Sequence, residues 1–302
     1  MELSTLERKK VICTHCNADH ARTYLISDGI ELSYFTLTSE TTKFCHAPLP
    51  HVIEINYCRA GRIGWKLGND ASVYLGPGDF CIHTMETCAH SQVTLPTGSY
   101  EGMTICIDLE TLAKQPPELL TGTELTLEPL LDKFCKNHIF SSFAGNEKTD
   151  AIFQGFYDQP QAFQQPYRII KTWELLLYLG KMNPQRTQRL NEYQAEQVTL
   201  IRQIHAQLIQ NLDKRFTIEE LSRQYLINTT TLKNGFKAIY GTSIAAHVKI
   251  HRMEYAAKCL RETSAPVTTI AKEVGYDSQS KFTAAFKDIY HMTPREYRQQ
   301  HS

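Results

Sequence analysis

The sequence predicts an α+β multidomain protein, with a β-rich N-terminal region, accessory helices after it and an all-α C-terminal domain. The region before about residue 110 reads as short β runs separated by turns, such as the run Val52 to Cys58 and the turn Gly76 to Asp79. From Ala195 onward nearly every segment has helical periodicity. The block Phe236 to Gly241 recurs fifty residues later as Phe286 to His291, which indicates a duplicated supersecondary unit.

Length and composition are those of a globular chain with an uneven charge distribution. With 302 residues the chain is long enough for two hydrophobic cores, and 42% apolar and 21% charged residues are ordinary values. The net charge of zero divides into +5 from Glu196 onward and −5 before it. A basic C-terminal third on an acidic protein indicates a module that binds a polyanion.

Neither a membrane span nor an export signal is predicted. The longest strongly apolar stretch, Leu175 to Leu179, is too short to cross a bilayer, and the first ten residues lack the apolar segment of a secretory signal. The nine cysteines are irregularly spaced and odd in number, which predicts reduced thiols in a cytoplasmic protein.

The pattern predicts four segments along the chain: a sensor barrel over residues 1–127, a helical dimerisation region over 128–183, a linker over 184–195 and a DNA-binding domain over 196–302. Within residues 167–182 an apolar stripe falls at helical spacing, formed by Ile169, Trp173, Leu176 and Gly180. The stripe fits a seam between two copies in a homodimer, and it fits packing onto the barrel equally well.

The first repeated unit predicts a helix-turn-helix. Thr217 and Glu220 form a capping box, a turn runs from Leu226 to Asn228, and Asn228 caps a second helix that ends at Gly241. The second helix buries Leu232 and Phe236 and exposes a polar face that consists of Asn228, Thr229, Thr230, Lys233, Asn234 and Lys237.

The second unit repeats this design with a turn one residue longer. A helix from Val267 to Val274 is followed by the turn Gly275 to Ser278, and Ser278 caps a helix that buries Phe282 and Phe286. The exposed face consists of Ser278, Gln279, Ser280, Lys281, Thr283 and Lys287. Hydroxyl, amide and basic side chains on such a helix suit base edges in a major groove.

These segments resemble the AraC/XylS family of transcription regulators. The resemblance rests on Ile270 to Lys287 (IAKEVGYDSQSKFTAAFK) followed by TPREYR, and it extends over about residues 197 to 299. It implies double-stranded DNA as partner, read by two units that a long helix from about Ile244 to Glu262 connects. Leu226 departs from the family pattern, which often has glycine there, and His291 replaces the Gly241 of the first copy.

The N-terminal region is similar to the cupin barrels that are fused to many such regulators. This similarity rests on His51, Glu54 and Gly61, on the block Gly76 to Phe80, and on His83 and His90. Metal-binding cupins have a His-x-His pair four or five residues before the glutamate, whereas this chain has Leu49 and Pro50 there. We therefore expect no metal, cofactor or catalytic residue, and an effector pocket lined by His51, Glu54, Tyr57, Trp65, His83 and His90.

Two alternatives to an effector-controlled regulator remain open. One is a metal-dependent cupin enzyme tethered to DNA, with His51, Glu54 and His90 as ligands in another geometry; the other is a regulator whose barrel only dimerises. The half zinc motif Cys13-x-x-Cys16 with His20 has no second half in the sequence, and we expect a disordered or loosely packed N-terminus there instead of a metal site. The effector, contacts with RNA polymerase, and activation or repression are not determined, and iron chelates, sugars, peptides and aromatic compounds are all candidate effectors.

Overall fold

A computed structural model describes residues 21–38, 41–43, 48–49, 51–67, 70–89, 91–115, 118, 128–136 and 140–301. The half motif Cys13-x-x-Cys16, His20 and His90 lie outside these residues. The chain divides into two compact units, one up to Gln194 and one from Ala195. In the described residues, no helix has the length and apolar character that a bilayer span requires.

The described part of the N-terminal unit contains eleven strands, arranged in two antiparallel sheets. In chain order the strands are β1 (Arg22–Ser27), β2 (Ile30–Leu37), β3 (Thr41–Lys43), β4 (Val52–Gly61), β5 (Ile63–Lys66), β6 (Ala71–Leu75), β7 (Phe80–Thr84), β8 (Gln92–Thr94), β9 (Tyr100–Asp108), β10 (Ser141–Phe143) and β11 (Glu192–Gln194). One sheet has the order β1-β2-β9-β4-β7-β10 and the other β11-β6-β5-β8-β3.

Five α-helices of the same unit lie within the residues that the structure describes, and a short 3-10 helix, Gln161–Phe163, precedes the last of them. They are α1 (Met85–Cys88), α2 (Leu109–Lys114), α3 (Glu128–Cys135), α4 (Glu147–Gln154) and α5 (Gln164–Lys181). The apolar residues of the last four of these helices, α2 to α5, cover one face of the six-stranded sheet. Ile55 on β4, Ile82 on β7 and Ile105 on β9 are buried there together with Phe153 on α4 and Leu176 on α5. Because side chains alternate along a strand, the intervening residues of β4, β7 and β9 face the opposite way.

The opposite face of the six-stranded sheet packs against the five-stranded sheet. Cys58 and Cys81 from the first sheet share a buried cluster with Ile63, Val73 and Val93 from the second. Among the described strands, no pairing joins the two sheets into a closed barrel. The observed arrangement is therefore a β sandwich covered by helices on one side, and the closure of a cupin barrel stays a prediction.

The apolar stripe of the helical region packs inward. Trp173 and Leu176 on α5 are buried in the cluster over the six-stranded sheet, and Ile169 packs against it. Gly180 contributes its carbonyl oxygen, which accepts a hydrogen bond from the Lys133 ammonium at 2.7 Å. Of the two uses that the sequence left open for this stripe, the structure shows packing onto the sheet.

Part of the segment predicted as a linker forms a strand. β11 pairs with β6 in register, with Tyr193 opposite Ser72, and the Tyr193 side chain is buried. The reason is local: a large aromatic residue between exposed neighbours fits the edge of a half-covered sheet.

Over residues 195–301 the C-terminal unit contains seven helices. They are α6 (Ala195–Gln210), α7 (Ile218–Gln224), α8 (Thr229–Tyr240), α9 (Ile244–Glu262), α10 (Val267–Glu273), α11 (Gln279–Tyr290) and α12 (Pro294–His301). Helices α7 and α10 have seven residues each and α8 and α11 have twelve each. The duplication seen in the sequence therefore yields two helix-turn-helix units with helices of equal length, and the turn of the second unit is one residue longer.

Each unit packs against a different part of the long helix α9. The second unit buries Phe282 and Phe286 together with Met253, Ala256 and Leu260 of α9. The first unit lies between α6 and the start of α9, since α8 contacts both of these helices. α9 thereby joins the two units through one continuous helix of nineteen residues.

The turns of both units contain a left-handed residue at the same place. Leu226 has φ +51° and Gly275 has φ +76°, and each lies two residues beyond the end of the first helix of its unit. The amide of the next residue donates a hydrogen bond to a carbonyl oxygen of the preceding helix. Ile227 donates to Ser222 at 3.1 Å, and Tyr276 donates to Ala271 at 2.9 Å. This is the Schellman geometry, in which glycine is favoured.

The surroundings explain why one turn has glycine and the other tolerates leucine. A Cβ atom at Gly275 would lie 2.8 Å from the carbonyl oxygen of Asp213 and 2.8 Å from an Arg252 nitrogen. The Leu226 side chain instead is 91% exposed. The residues that end α8 and α11 are both left-handed: Gly241 has φ +84° and His291 has φ +58°. Histidine in place of glycine therefore leaves this backbone conformation unchanged.

Replacement of Leu226 by glycine is expected to stabilise the protein. A left-handed backbone strains a residue that has a Cβ atom, and an exposed side chain contributes little burial, so we expect a gain of about 0.5–1 kcal/mol after the entropy cost of glycine. Thermal or urea unfolding measures it. As control, Arg223→Gly within α7 is expected to lower the free energy of unfolding by about 1 kcal/mol. An L226G protein that is also less stable than the wild type would contradict the strain argument.

Candidate nucleic-acid interface and buried polar site

Helix α8 has one apolar and one polar face. Leu232, Phe236 and Ile239 are fully buried at spacings of four and three residues. On the other face the side chains of Asn228, Thr230, Lys233, Asn234 and Lys237 are exposed, and that of Thr229 is half-buried. The apolar stripe fixes the rotation of the helix, and the rotation presents the polar residues to solvent.

Helix α11 repeats this arrangement fifty residues later. Phe282 and Phe286 are fully buried, four residues apart. The side chains of Gln279, Ser280, Lys281 and Lys287 are exposed, and those of Ser278 and Thr283 are half-buried. The structure thus brings the twelve residues predicted from sequence onto two solvent-facing surfaces, one on each helix.

The residues that begin these helices also cap them. The Asn228 Oδ1 atom accepts hydrogen bonds from the amides of Thr230 at 2.8 Å and Thr231 at 3.4 Å. The Ser278 hydroxyl accepts one from the Lys281 amide at 3.3 Å. Each helix start also carries the positive end of a helix dipole, a position at which phosphate oxygens bind well.

A second polar group of residues lies between the two sheets of the N-terminal unit. The Thr104 hydroxyl donates to Asn56 Oδ1 at 2.5 Å, and the Asn56 amide nitrogen lies 2.9 Å from Nε2 of His83. His83 Nδ1 lies 3.1 Å from the Thr84 carbonyl oxygen, to which it can only donate. Nε2 of a neutral His83 therefore accepts from Asn56, and the imidazole is buried.

Glu54 extends this polar network. Its carboxylate accepts hydrogen bonds from the thiols of Cys88 at 3.1 Å and Cys106 at 3.6 Å, and it lies 3.8 Å from Nδ1 of His83. Burial, followed by the charge of Glu54, raises the pKa of the Cys88 thiol well above its ordinary value. We name Glu54, Asn56, His83 and Thr104 the interior polar network.

The other residues predicted for an effector pocket lie elsewhere. The Tyr57 ring stacks on Phe153 at 4.1 Å on the helix-covered face, because Tyr57 has the same strand parity as Ile53 and Ile55. Burial raises the Tyr57 pKa to about 12. His51 is exposed, and its Nε2 atom lies 3.6 Å from a carboxylate oxygen of Glu110. Trp65 is buried between the sheets. The structure therefore joins Glu54 and His83 and separates His51 and Tyr57 from them.

Three histidines meet in the C-terminal unit, and sequence analysis did not select them. Nε2 of His247 lies 2.9 Å from Nε2 of His205 and 3.1 Å from Nε2 of His251. His247 and His251 are four residues apart on the predicted connecting helix, a spacing that places two imidazoles on one face. This spacing was available as a signal, whereas His205 lies on α6 and no local pattern connects it to them.

Comparisons with known proteins concern the C-terminal unit. A helix-turn-helix domain family matches residues 221–300. A putative AraC-like transcription regulator of Streptomyces antibioticus is 39% identical over 83 residues, which are 28% of this chain and 27% of that protein. The transcriptional regulator Rob of Salmonella typhimurium is 31% identical over 103 residues, 34% of this chain and 36% of that protein.

Among solved structures, the C-terminal domain of AraT, a response regulator from Geobacillus stearothermophilus, matches with 28% identity. The match covers 33% of this chain and 84% of that domain, with a TM-score of 0.33. The chain spans roughly a third of the length of the first two curated relatives. The C-terminal unit is a helix-turn-helix domain of the AraC type.

Proposed function

We propose that the protein is a sequence-specific DNA-binding transcription regulator whose N-terminal unit binds a small-molecule effector. The observation that carries the first part is the pair of equal helices, α8 and α11, each capped at its start and each exposing hydroxyl, amide and lysine side chains. The AraC-type relatives, which are named as transcription regulators, support the same proposal.

The chemistry of the exposed side chains suits a major groove. Lysine can donate to the O6 and N7 acceptors of guanine or to phosphate, and asparagine and glutamine can pair with adenine. Lys233 and Asn234 supply these groups on α8, and Lys281 and Gln279 supply them on α11 at different positions along the helix. Amides and caps at the helix starts position the chain on phosphates, and the side chains further along each helix read bases.

Replacement of Lys233 or Lys281 by alanine is expected to weaken binding to the operator, which footprinting on DNA beside the chain's own gene would identify. A lysine that contacts a base should reduce discrimination at that base by about 1–3 kcal/mol. A lysine that contacts phosphate should reduce affinity uniformly and lower the salt dependence. Gel-shift titrations at several salt concentrations separate the two outcomes.

Lys258→Ala is the matched control for this test, because Lys258 is an exposed lysine on α9 outside both surfaces. Its affinity should equal that of the wild type. Unchanged affinity in both Lys233→Ala and Lys281→Ala would contradict the proposed docking of α8 and α11.

The interior polar network supports the second part of the proposal. A sandwich that served only as a scaffold would be expected to fill its interior with apolar side chains, since buried polar groups are costly unless fully paired. Here Glu54, Asn56, His83 and Thr104 form a connected set on the inner face of the six-stranded sheet. The proposal treats this two-sheet unit as the cupin-like sensor predicted from the sequence.

The donor set of this network does not favour a metal-dependent enzyme. One carboxylate oxygen of Glu54, one imidazole nitrogen of His83 and the sulfur of Cys88 lie within 4.8 Å of one another. However, these groups are already paired within the protein: Nε2 of His83 with Asn56, Nδ1 of His83 with the Thr84 carbonyl oxygen, and the Cys88 thiol with the Glu54 carboxylate. The proposal therefore assigns binding, and no catalytic step, to this set.

Effector binding is expected to depend on Glu54. In thermal-shift measurements with panels of sugars, short peptides, aromatic acids and ferric chelates, a true effector at 100 times its Kd should add about 2.7 kcal/mol to the stability of the fold. Glu54→Gln should reduce this shift, and the control Lys66→Gln, an exposed residue of β5, should not. An effector whose shift is equal in Glu54→Gln and wild type would contradict the assigned site.

Dimerisation through residues 167–182 is also part of the proposal. The stripe of α5 around Trp173 is buried, but the outward face of the same helix exposes Tyr167, Ile170 and Leu177 at spacings of three and seven residues. Exposed apolar side chains in a row are typical of an interface between copies. A homodimer in the cytoplasm, with contacts to RNA polymerase where it activates, completes the proposed regulator.

The double variant Ile170→Glu with Leu177→Glu is expected to be monomeric. Two carboxylates on the exposed face would repel each other across a twofold interface and remove its apolar contacts. Light scattering after size exclusion measures the mass. Lys148→Glu, at an exposed residue of α4 outside residues 167–182, is the control and should leave the dimer intact. A double variant that still dimerises places the interface elsewhere.

A further inference from the structure

The three histidines of the C-terminal unit converge on one point. His205 lies on α6, and His247 and His251 lie one turn apart on α9. Their Nε2 atoms are separated by 2.9 Å between His205 and His247 and by 3.1 Å between His247 and His251. All three side chains are half-buried, so the cluster is shielded and still accessible from solvent.

Hydrogen bonding alone cannot satisfy this cluster. Nδ1 of His251 lies 3.2 Å from the carboxylate of Glu254, so Nδ1 carries the proton of a neutral His251 and Nε2 presents a lone pair. His247 Nε2 has two Nε2 neighbours and at most one proton. One proton can align with only one of them, so at least one of the two close nitrogen pairs lacks a good hydrogen bond.

We propose that His205, His247 and His251 bind a divalent transition-metal ion of the zinc type, which links α6 to α9. Zinc binds imidazole nitrogen at about 2.0–2.1 Å, and in a tetrahedral site two such nitrogens lie about 3.4 Å apart. The observed distances of 2.9 and 3.1 Å are within about half an ångström of that value. The ligand atoms of all three histidines lie within 4.8 Å of one another, so side-chain rotations can bring them to one ion.

One further feature suits this ligand set. Glu254 accepts from His251 as carboxylates commonly do behind a metal-bound histidine. Three neutral imidazoles select zinc, cobalt, nickel or copper over magnesium or calcium, and leave a coordination position for water.

A bound ion would stabilise the packing of the first helix-turn-helix unit. The His205 ring stacks on Tyr240 of α8 at 4.1 Å, and the rings of Phe236 and His247 lie 5.4 Å apart. Phe236 and Tyr240 belong to the buried face of α8, opposite the exposed surface proposed to read DNA. An ion at the histidines therefore lies behind α8 and restrains the helices on which α8 packs. This inference does not rest on DNA binding.

The test uses the full-length chain, freed of metal with a chelator and titrated with Co²⁺ and with Zn²⁺. We expect one equivalent of Co²⁺ to give visible ligand-field absorption without the intense thiolate charge-transfer band that cysteine ligands would produce. Zn²⁺ should displace it, and Zn²⁺ at 100 times its Kd should raise the folding equilibrium constant about 100-fold. An absence of binding, or a thiolate band for the bound equivalent, would overturn the assignment.

Variants locate the ion. His247→Gln should abolish the visible absorption, and His251→Gln, whose side chain is 32% exposed and therefore safer for folding, should do the same. Glu254→Gln should weaken binding about 10–100-fold, the effect expected of a positioning residue. His301→Gln, in the same unit, is the control and should bind like the wild type. Binding that survives in both His247→Gln and His251→Gln refutes the site.

Discussion

The burial of one apolar stripe on each of α8 and α11 is the constraint on which the C-terminal unit depends. Phe236 and Phe286 are completely buried, and each lies four residues after another buried residue, Leu232 and Phe282. Since adjacent positions on a helix point about 100° apart, the rotation of the helix is fixed once this stripe is in the core. The polar residues between them then have no orientation open to them except towards solvent. Packing thereby creates the surface that the proposed function uses.

The N-terminal unit obeys a stricter constraint, because its six-stranded sheet is covered on both faces. Helices pack on the side of Ile55 and Ile105, and the second sheet packs on the side of Cys58 and Cys81. Covered on both sides, the central strands would be expected to be apolar throughout. The interior polar network is the local exception, and its hydrogen bonds replace those that its members lose with water.

Local sequence patterns predicted much of the C-terminal unit. The Thr217 hydroxyl accepts from the Glu220 amide at 3.1 Å and the Glu220 carboxylate accepts from the Thr217 amide at 2.8 Å, as the capping box predicted. Asn228 and Ser278 cap the helices assigned to them, and α9 spans the predicted Ile244–Glu262. Caps and turns act within a few residues, which is why a single sequence contains them.

Features that depend on contacts between distant residues could not be predicted in this way. Tyr57 was grouped with Glu54, although the alternation of β4 alone places them on opposite faces, so a stricter use of strand parity would have separated them. The pairing of Tyr193 on β11 with Ser72 on β6 joins residues 121 positions apart, and the approach of His205 to His247 joins residues 42 positions apart. No periodicity in a single sequence contains that information.

The two repeated units of the C-terminal unit are similar in backbone conformation and differ in many of their side chains. The two copies share helix lengths, left-handed turns and aromatic anchors, yet one exposed surface has Asn234 where the other has Ala284, and one turn has Leu226 where the other has Gly275. The two exposed surfaces of a single chain therefore differ from each other, and the pair of surfaces has a direction. On the proposed function, such a molecule distinguishes the two directions along a duplex, and its half-site needs no internal palindrome.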